Sequence, residues 1–229
     1  MSRRLACLAL LLAASLPSHA GRPLVTDDAG VIAPAHCEVE AYLGRTTVPA
    51  EPAVRNDSAQ LACGLGADTQ LALQVLRSGI DAGRANALVL NGKTASAARE
   101  DGAAFALAWA LTDAPSPGHG RRLEQAFVNG IATLPLDPRT RLHANLGVAR
   151  ERSSSSTTTS WALAVESALT ERVDLMAESF ANDHDHSPWL QVAARWALRP
   201  GRWFVDASWG VQASAGRPKA VTLGLKLAF

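Results

Sequence analysis

Only a few residues of this chain are spaced for chemistry. Cys37 and Cys63 could be joined as a disulfide or stay as two free buried thiols. The run Asn182-Asp183-His184-Asp185-His186 sets two imidazoles on one side of an extended segment, with carboxylates between them. Metal binding needs three or four converging ligands, and His184 and His186 are the only metal candidates. A polar surface loop accounts for the run more simply, so neither a metal nor a cofactor is expected. Asp27-Asp28 could meet a cation or an assembly partner, but a turn or a tether is the plainer reading. A hydrolase would need a Ser nucleophile beside a His and an orienting Asn, Asp or Glu. His143 and Asn145 share a face, yet no Ser lies beside them, and Ser153–Ser156 reads as a loop. With no Gly-rich phosphate loop and no CxxC pair, the chain is not expected to be an enzyme.

These groups must be held by something, and composition narrows what. The chain has 229 residues, 48% of them hydrophobic and 19% charged. That suffices for one domain of roughly 200 residues and is too apolar for disorder. The formal charge of +1 excludes a whole-protein electrostatic grip on nucleic acid. Three cysteines are too few for a disulfide-stapled miniature. Residues 1–20 read as a secretory signal peptide: Arg3-Arg4, an apolar run from Leu5 to Leu16, then Ser18-His19-Ala20 before a cleavage point. Residues 21–229 contain no apolar stretch long enough for a transmembrane helix. The exported protein is therefore either soluble or a membrane barrel.

Period two decides between elements. Val221, Leu223, Leu225, Leu227 and Phe229 alternate with Thr222, Gly224, Lys226 and Ala228, as in a strand with one apolar and one polar or small face. The same alternation recurs upstream, about twelve times, near 37–46, 58–66, 69–79, 85–96, 102–112, 122–134, 139–150, 158–169, 172–181, 188–198, 202–213 and 219–229. Segments 85–96 and 122–134 alternate less cleanly; in the second, Phe127 and Ile131 compete with Val128 and Leu134 for the apolar face. Hairpin register must keep apolar residues on one face. A turn about Glu171 sets Leu169 opposite Val173 and Ser167 opposite Leu175. A turn about Arg199-Pro200 sets Trp196 opposite Trp203 and Ala194 opposite Val205. A first hairpin turning about Ala50 sets Cys37 opposite Cys63, and a disulfide is the favoured reading in an oxidising compartment.

The connections alternate in character. Those at 66–68, 99–102, 137–139, 170–172 and 199–201 are tight, and those at 47–57, 78–84, 113–121, 150–159, 182–187 and 214–220 are longer or more polar. Short turns at one end and longer loops at the other mark an outer-membrane barrel; a soluble β-sandwich would alternate too but has no reason to sort its loops. The expected fold is all-β, a closed antiparallel up-and-down transmembrane β-barrel of about twelve strands over 37–229. Residues 21–36 precede it as a periplasmic N-terminal segment, a small plug at most. Leu223, Leu225 and Leu227 should then face outward and Lys226 inward. Trp161 and Trp189 should belong to the aromatic belt at one rim, and Trp196, Trp203 and Phe229 to the belt at the other.

The same parity picks the residues expected to line the lumen. They are Glu38, Glu40, Gln70 and Gln74, with Lys93, His143, Asn145 and Glu166. Asp174, Glu178, Arg195, Asp206 and Lys226 continue the set. Both signs of charge are mixed with Ala and Gly. Such a lumen is either sealed by mutually paired charges, in a structural or partner-binding barrel, or a narrow path for small solutes; twelve strands lie between filled barrels and wide porins. The small side chains favour a path.

The start Arg22-Pro23-Leu24-Val25-Thr26-Asp27-Asp28-Ala29, followed by Cys37-Glu38-Val39-Glu40, resembles a family of bacterial outer-membrane proteins labelled transporter-like or related to porin-like proteins of phenol meta-pathway degradation. The ending Gly224-Leu225-Lys226-Leu227-Ala228-Phe229 is similar to the carboxy-terminal strand read by the outer-membrane assembly machinery, which makes Phe229 an assembly signal. The resemblance implies export through the periplasm to the outer membrane and a channel role. The implied partners are outer-membrane lipid, the assembly machinery and a small-molecule solute, with no nucleic acid.

Overall fold

The computed structural model describes residues 23–80, 83–96, 102–116, 118–184 and 187–229. The signal peptide expected at 1–20 and His186 lie outside the described residues. The strands are β1 (Cys37–Thr47), β2 (Val54–Gly66), β3 (Thr69–Ile80), β4 (Gly83–Ala95), β5 (Ala104–Ser116), β6 (Gly120–Pro135), β7 (Thr140–Glu151), β8 (Thr157–Ala168), β9 (Val173–Asn182), β10 (Trp189–Arg199), β11 (Trp203–Gln212) and β12 (Lys219–Ala228). Each pairs antiparallel with the next, and β1 pairs with β12, so the sheet closes on itself. At the seam Cys37 N–H donates to the Phe229 carbonyl at 2.8 Å, and Phe229 N–H to the Cys37 carbonyl at 2.9 Å. Closure leaves no strand edge with unpaired N–H and C=O groups, the condition for a sheet in hydrocarbon.

The two faces separate as the alternation requires. Leu223 and Leu225 are 60% and 41% exposed on the outside, while Lys226, next along the strand, is 4% exposed. Leu61, Leu73, Leu107, Leu146, Leu163 and Val192 continue the apolar exterior. Interior positions hold buried Glu40, Lys93, His143, Glu166, Glu178, Arg195 and Asp206. The two ambiguous segments have a physical explanation. In β6 the outward set is Val128 and Leu134; Ile131 is buried inside against Ala29 and Ala106. In β4 Val89 is likewise buried while Leu88 and Leu90 face out. These strands look irregular because something apolar inside the barrel covers part of their inner face.

Several details differ from expectation. Trp189 does not join an outer aromatic belt: it shares parity with buried Gln191 and Arg195 and stacks on Phe180, ring centroids 6.1 Å apart. Its strand position, not its residue type, decides its side. The β10–β11 register is displaced by two residues, setting Trp196 opposite Val205 and Ala194 opposite Ala207. The cause is the turn, in which Arg202 N–H donates to the Arg199 carbonyl at 3.0 Å with Gly201 at φ 73°. Pro followed by a left-handed Gly is a type II turn; it centres the hairpin one residue later and adds a bulge between Ala197 and Arg199. An even displacement keeps every side chain on its face. The turn about Glu171 has the expected register, Ser167 opposite Leu175. The sorting of connections is weaker than expected, since β3, β4, β5 and β6 run on to Ile80, Gly83, Ser116 and Gly120; the turn expected at 99–102 lies largely outside the described residues.

Candidate functional site: a lumen threaded by the amino-terminal segment

Residues 23–32 lie within the cylinder, and residues 33–36, exposed at its mouth, lead into β1 at the end that carries Phe229; that end is called the lower one here. At its root the segment bridges Pro34 to Gly64 of β2, and Gly64 N–H donates to the His36 carbonyl at 3.0 Å. A Cβ at position 64 would collide with the carbonyls of Ile32 and Ala33, so the close approach of two backbones requires glycine there. Ile32 N–H then donates to Gln70 Oε1 at 2.9 Å, and the Ile32 side chain is buried with Ala62 and Ala72. Ala29 N–H donates to Thr133 Oγ1 at 2.9 Å.

Higher up, Asn145 receives Asp27 as another strand would. Asp27 N–H donates to its Oδ1 at 2.7 Å, and its Nδ2 donates to the Asp27 carbonyl at 2.8 Å. Lys93 Nζ reaches Asp27 Oδ1 and the Asp28 carbonyl, both at 3.0 Å. Glu178 accepts from Val25 N–H at 2.9 Å, Thr26 N–H at 2.8 Å and Thr26 Oγ1 at 2.7 Å. Gln191 Nε2 donates to Glu178 Oε1 at 2.7 Å and to the Pro23 carbonyl at 3.1 Å. A segment without regular secondary structure thus has much of its backbone satisfied by wall side chains, while its own Asp27 and Asp28 carboxylates accept from the Asp28 and Gly30 N–H groups, as buried peptide groups require.

The remaining charges of the lower lumen satisfy one another. Lys226 Nζ lies 2.6 Å from Glu38 and 3.4 Å from Glu40. Glu166 accepts from His143 Nε2 and Arg141, each at 3.2 Å, and Arg195 stands 3.7 Å away. His143 is 2% exposed and reaches Thr133 Oγ1 at 3.0 Å through Nδ1. Asp174 and Asp206 flank Arg195 in the strand register.

Above the segment the lumen is open. A cavity of about 420 Å³ lined by Tyr42, Ser58, Gln60, Gln74, Asn91 and Asn129 has Val25 and Asp27 along one side and extends down beside the segment to Ile32, Glu38 and Gln70. Further spaces of about 310 Å³ and about 290 Å³ also touch Val25 and share the Phe180–Trp189 pair. Together they form a vestibule around Val25, which is 58% exposed inside the barrel. Its polar walls are amide and hydroxyl groups in mutual contact: Gln74 donates to Ser58 at 2.7 Å, Asn91 to Gln60 at 3.1 Å and Asn129 to Asn145 at 3.2 Å.

The residues singled out from sequence therefore divide. Gln70, Lys93, Asn145 and Glu178 meet the segment; Glu38, Glu40, His143, Glu166, Asp174, Arg195, Asp206 and Lys226 surround the charge pairs; Gln74 stands in the vestibule wall. Cys37 and Cys63 are opposite one another and bonded as a disulfide, on the outward parity of β1 and β2. His184 lies in the loop beyond β9, its Nε2 3.8 Å from Asp183, and no group of three or more metal-ligating side chains forms among the described residues. Sequence reading missed Thr133, Arg141, Phe127 and Trp189. Arg141 and Thr133 could have been found from their parity with His143 and Ile131; the aromatics were masked by the assumption that rings face lipid.

The chain belongs to the family described as Uncharacterised conserved protein UCP029691, whose profile matches residues 8–229. No curated protein matches it in sequence. Among solved structures it is similar to the KdgM porin in complex with disordered oligogalacturonate, at TM-score 0.66 and 6% identity over 84% of this chain and 99% of that one. It is similar to the COG4313 outer membrane channel from Pseudomonas putida F1, at TM-score 0.65 and 12% identity over 90% and 100% of the two chains. The Ralstonia pickettii toluene transporter TbuX matches at TM-score 0.53 and 6% identity over 85% and 89%. The fold is that of outer-membrane porins and channels.

Proposed function

We propose that the protein is an outer-membrane channel for small solutes, closed at rest by its own amino-terminal segment. The termini end of the barrel faces the periplasm, the vestibule opens to the exterior, and residues 23–36 act as a plug. The observation that carries this reading is the contrast inside one cylinder between an open, polar vestibule and a floor made of non-regular chain. A sealed structural barrel has no need of a vestibule, and strand-to-strand charge pairs alone would fill its lumen. The plug is held by separate hydrogen bonds to wall groups, with a net worth of about 0.5–1.5 kcal/mol each where the partner is neutral and about 1.5–3 kcal/mol where it is Glu178 or Lys93, so local release does not require the barrel to open. The apolar exterior and the closing β1–β12 seam support membrane residence, and the resemblance of residues 22–29 and 37–40 to phenol meta-pathway porin-like proteins supports transport over a structural role.

The test is conductance. Purified protein in planar bilayers should show brief, rare openings. Gly64→Val, which forces the root of the plug off β2, should show long-lived ones, with heat-modifiable gel mobility confirming that the barrel is folded. Absence of channel events in both proteins would overturn the channel reading in favour of a sealed barrel.

A further inference from the structure

We infer that the vestibule is a binding site for neutral, polyhydroxylated ring compounds, the size of a mono- or disaccharide, and that it discriminates against their anionic counterparts. The inference rests on the channel reading only in taking the vestibule as the outer mouth; binding itself needs no open state.

The wall chemistry is the first reason. Aromatic faces stand on separate sectors: Tyr42 on β1, Phe127 on β6, and the parallel Phe180–Trp189 pair on β9 and β10. Between them stand the uncharged amides and hydroxyls of Ser58, Gln60, Gln74, Asn91, Asn129 and Asn145, with the charged groups gathered deeper, beside the segment. Each primary amide carries two donor hydrogens and two acceptor lone pairs, so the single bonds within the Gln74–Ser58 and Asn91–Gln60 pairs leave capacity for a ligand of both kinds. A sugar ring presents C–H faces that pack on aromatic rings by dispersion and hydroxyls that donate and accept around its rim. A purely apolar solute would strip water from these amides without replacing it, a cost of about 1–3 kcal/mol for each group left unpaired.

The floor is the second reason. The charged groups bordering the deeper cavity are Asp27, Glu38, Glu40 and Lys93. Lys93 is already engaged by Asp27, and Lys226 lies behind, between Glu38 and Glu40. A carboxylate on a ligand would meet an acidic floor whose cations are spoken for. Among the described residues the two spaces flanking Phe127 have no Arg or Lys in their walls besides Lys93, and the third has only Arg45, which shares the outward parity of Leu43. The cavity of about 420 Å³ lies in the range of small-molecule sites.

The experiment uses full-length folded protein in detergent, titrated with sucrose, galacturonic acid and toluene, and read by saturation-transfer NMR together with tryptophan emission. Sucrose should bind saturably, with galacturonic acid weaker by about tenfold or more and toluene no better than in empty micelles. Asn129→Ala and Trp189→Phe should each weaken sucrose by about fivefold, the loss of one hydrogen bond or of part of one stacking face; Trp189→Phe should also abolish the emission change. Galacturonic acid binding as tightly as sucrose, or sucrose binding unchanged in both variants, would overturn the assignment. Channel events in Gly64→Val without sucrose binding would remove this inference and leave the channel intact. Sucrose binding without channel events would do the opposite.

Discussion

The lower and upper halves of the lumen are built by the same strands on the same parity, yet they behave as different materials. Below, Glu178, Lys93, His143, Glu166 and Lys226 are buried, each within reach of an opposite charge or of plug backbone. Above, Tyr42, Asn91 and Trp189 border open space. The difference lies less in the walls than in fourteen residues of irregular chain, 23–36, that enter from the lower end and rise along one wall as far as Glu178 and Gln191. Charged walls hold a peptide because carboxylates and ammonium groups make stronger hydrogen bonds to backbone than neutral groups do. Amide walls hold it less firmly and leave room for something else.

The sharpest way to erase that difference is at Glu178. Glu178→Leu removes the acceptor of Val25 N–H, Thr26 N–H and Thr26 Oγ1 together. With about 1–3 kcal/mol at stake for each buried group left unpaired, amide exchange at Thr26 should accelerate by about a hundredfold. The Ile32 amide, anchored separately by Gln70, should slow this loss at the root. Equal acceleration at Thr26 and Ile32 would show that the plug moves as one body.

A change outside both halves should leave their contrast untouched while weakening the barrel. The Cys37–Cys63 bond staples β1 to β2 beside the seam. Cys37→Ser with Cys63→Ser should lower unfolding stability by about 2–4 kcal/mol, measured by urea titration of the detergent-folded protein. Conductance should not change, because these side chains share the outward parity of Leu43 and Leu61. A change in conductance would mean that the seam and the root of the plug are mechanically joined.

The smallest effect lies in the β6–β7 turn. Arg139 N–H at 2.7 Å and Thr140 N–H at 2.9 Å donate to Asp137 Oδ1, and these bonds hold its carboxyl below the usual carboxylate range, the Arg139 amide first. A folded-state pKa lowered in this way stabilises the fold above the unfolded value of about 3.9, and the benefit disappears as pH falls through the folded value. Asp137→Asn should therefore be slightly less stable than the parent at pH 7, and the gap should close towards pH 2. A gap that widens on acidification would reverse the assigned sign.

Much of this was legible beforehand, for a definite reason. A strand in a two-sided wall repeats every two residues, so Leu223, Leu225 and Lys226 declare their sides without reference to anything distant. The Cys37–Cys63 pairing follows from one hairpin centre. Errors arose where a single local feature carried the decision. Pro200 and Gly201 moved a turn by one residue, and Trp189 was assigned by residue type against its own parity. Ile131 resisted assignment because the rule that interiors are polar fails where the segment packs against the wall, and Phe127 because it lines open space inside the barrel instead of facing lipid.

Closure, strand number and the side taken by most residues are thus properties of the linear pattern, because backbone pairing and pleat geometry act between neighbours. The path of residues 23–36 is not. Its backbone groups have no periodic partner, and what satisfies them is a set of single groups, from the Gly64 N–H to the Gln191 side chain, that the chain brings together only when the cylinder closes. Which part of the lumen is filled, and which is left for a guest, was decided there.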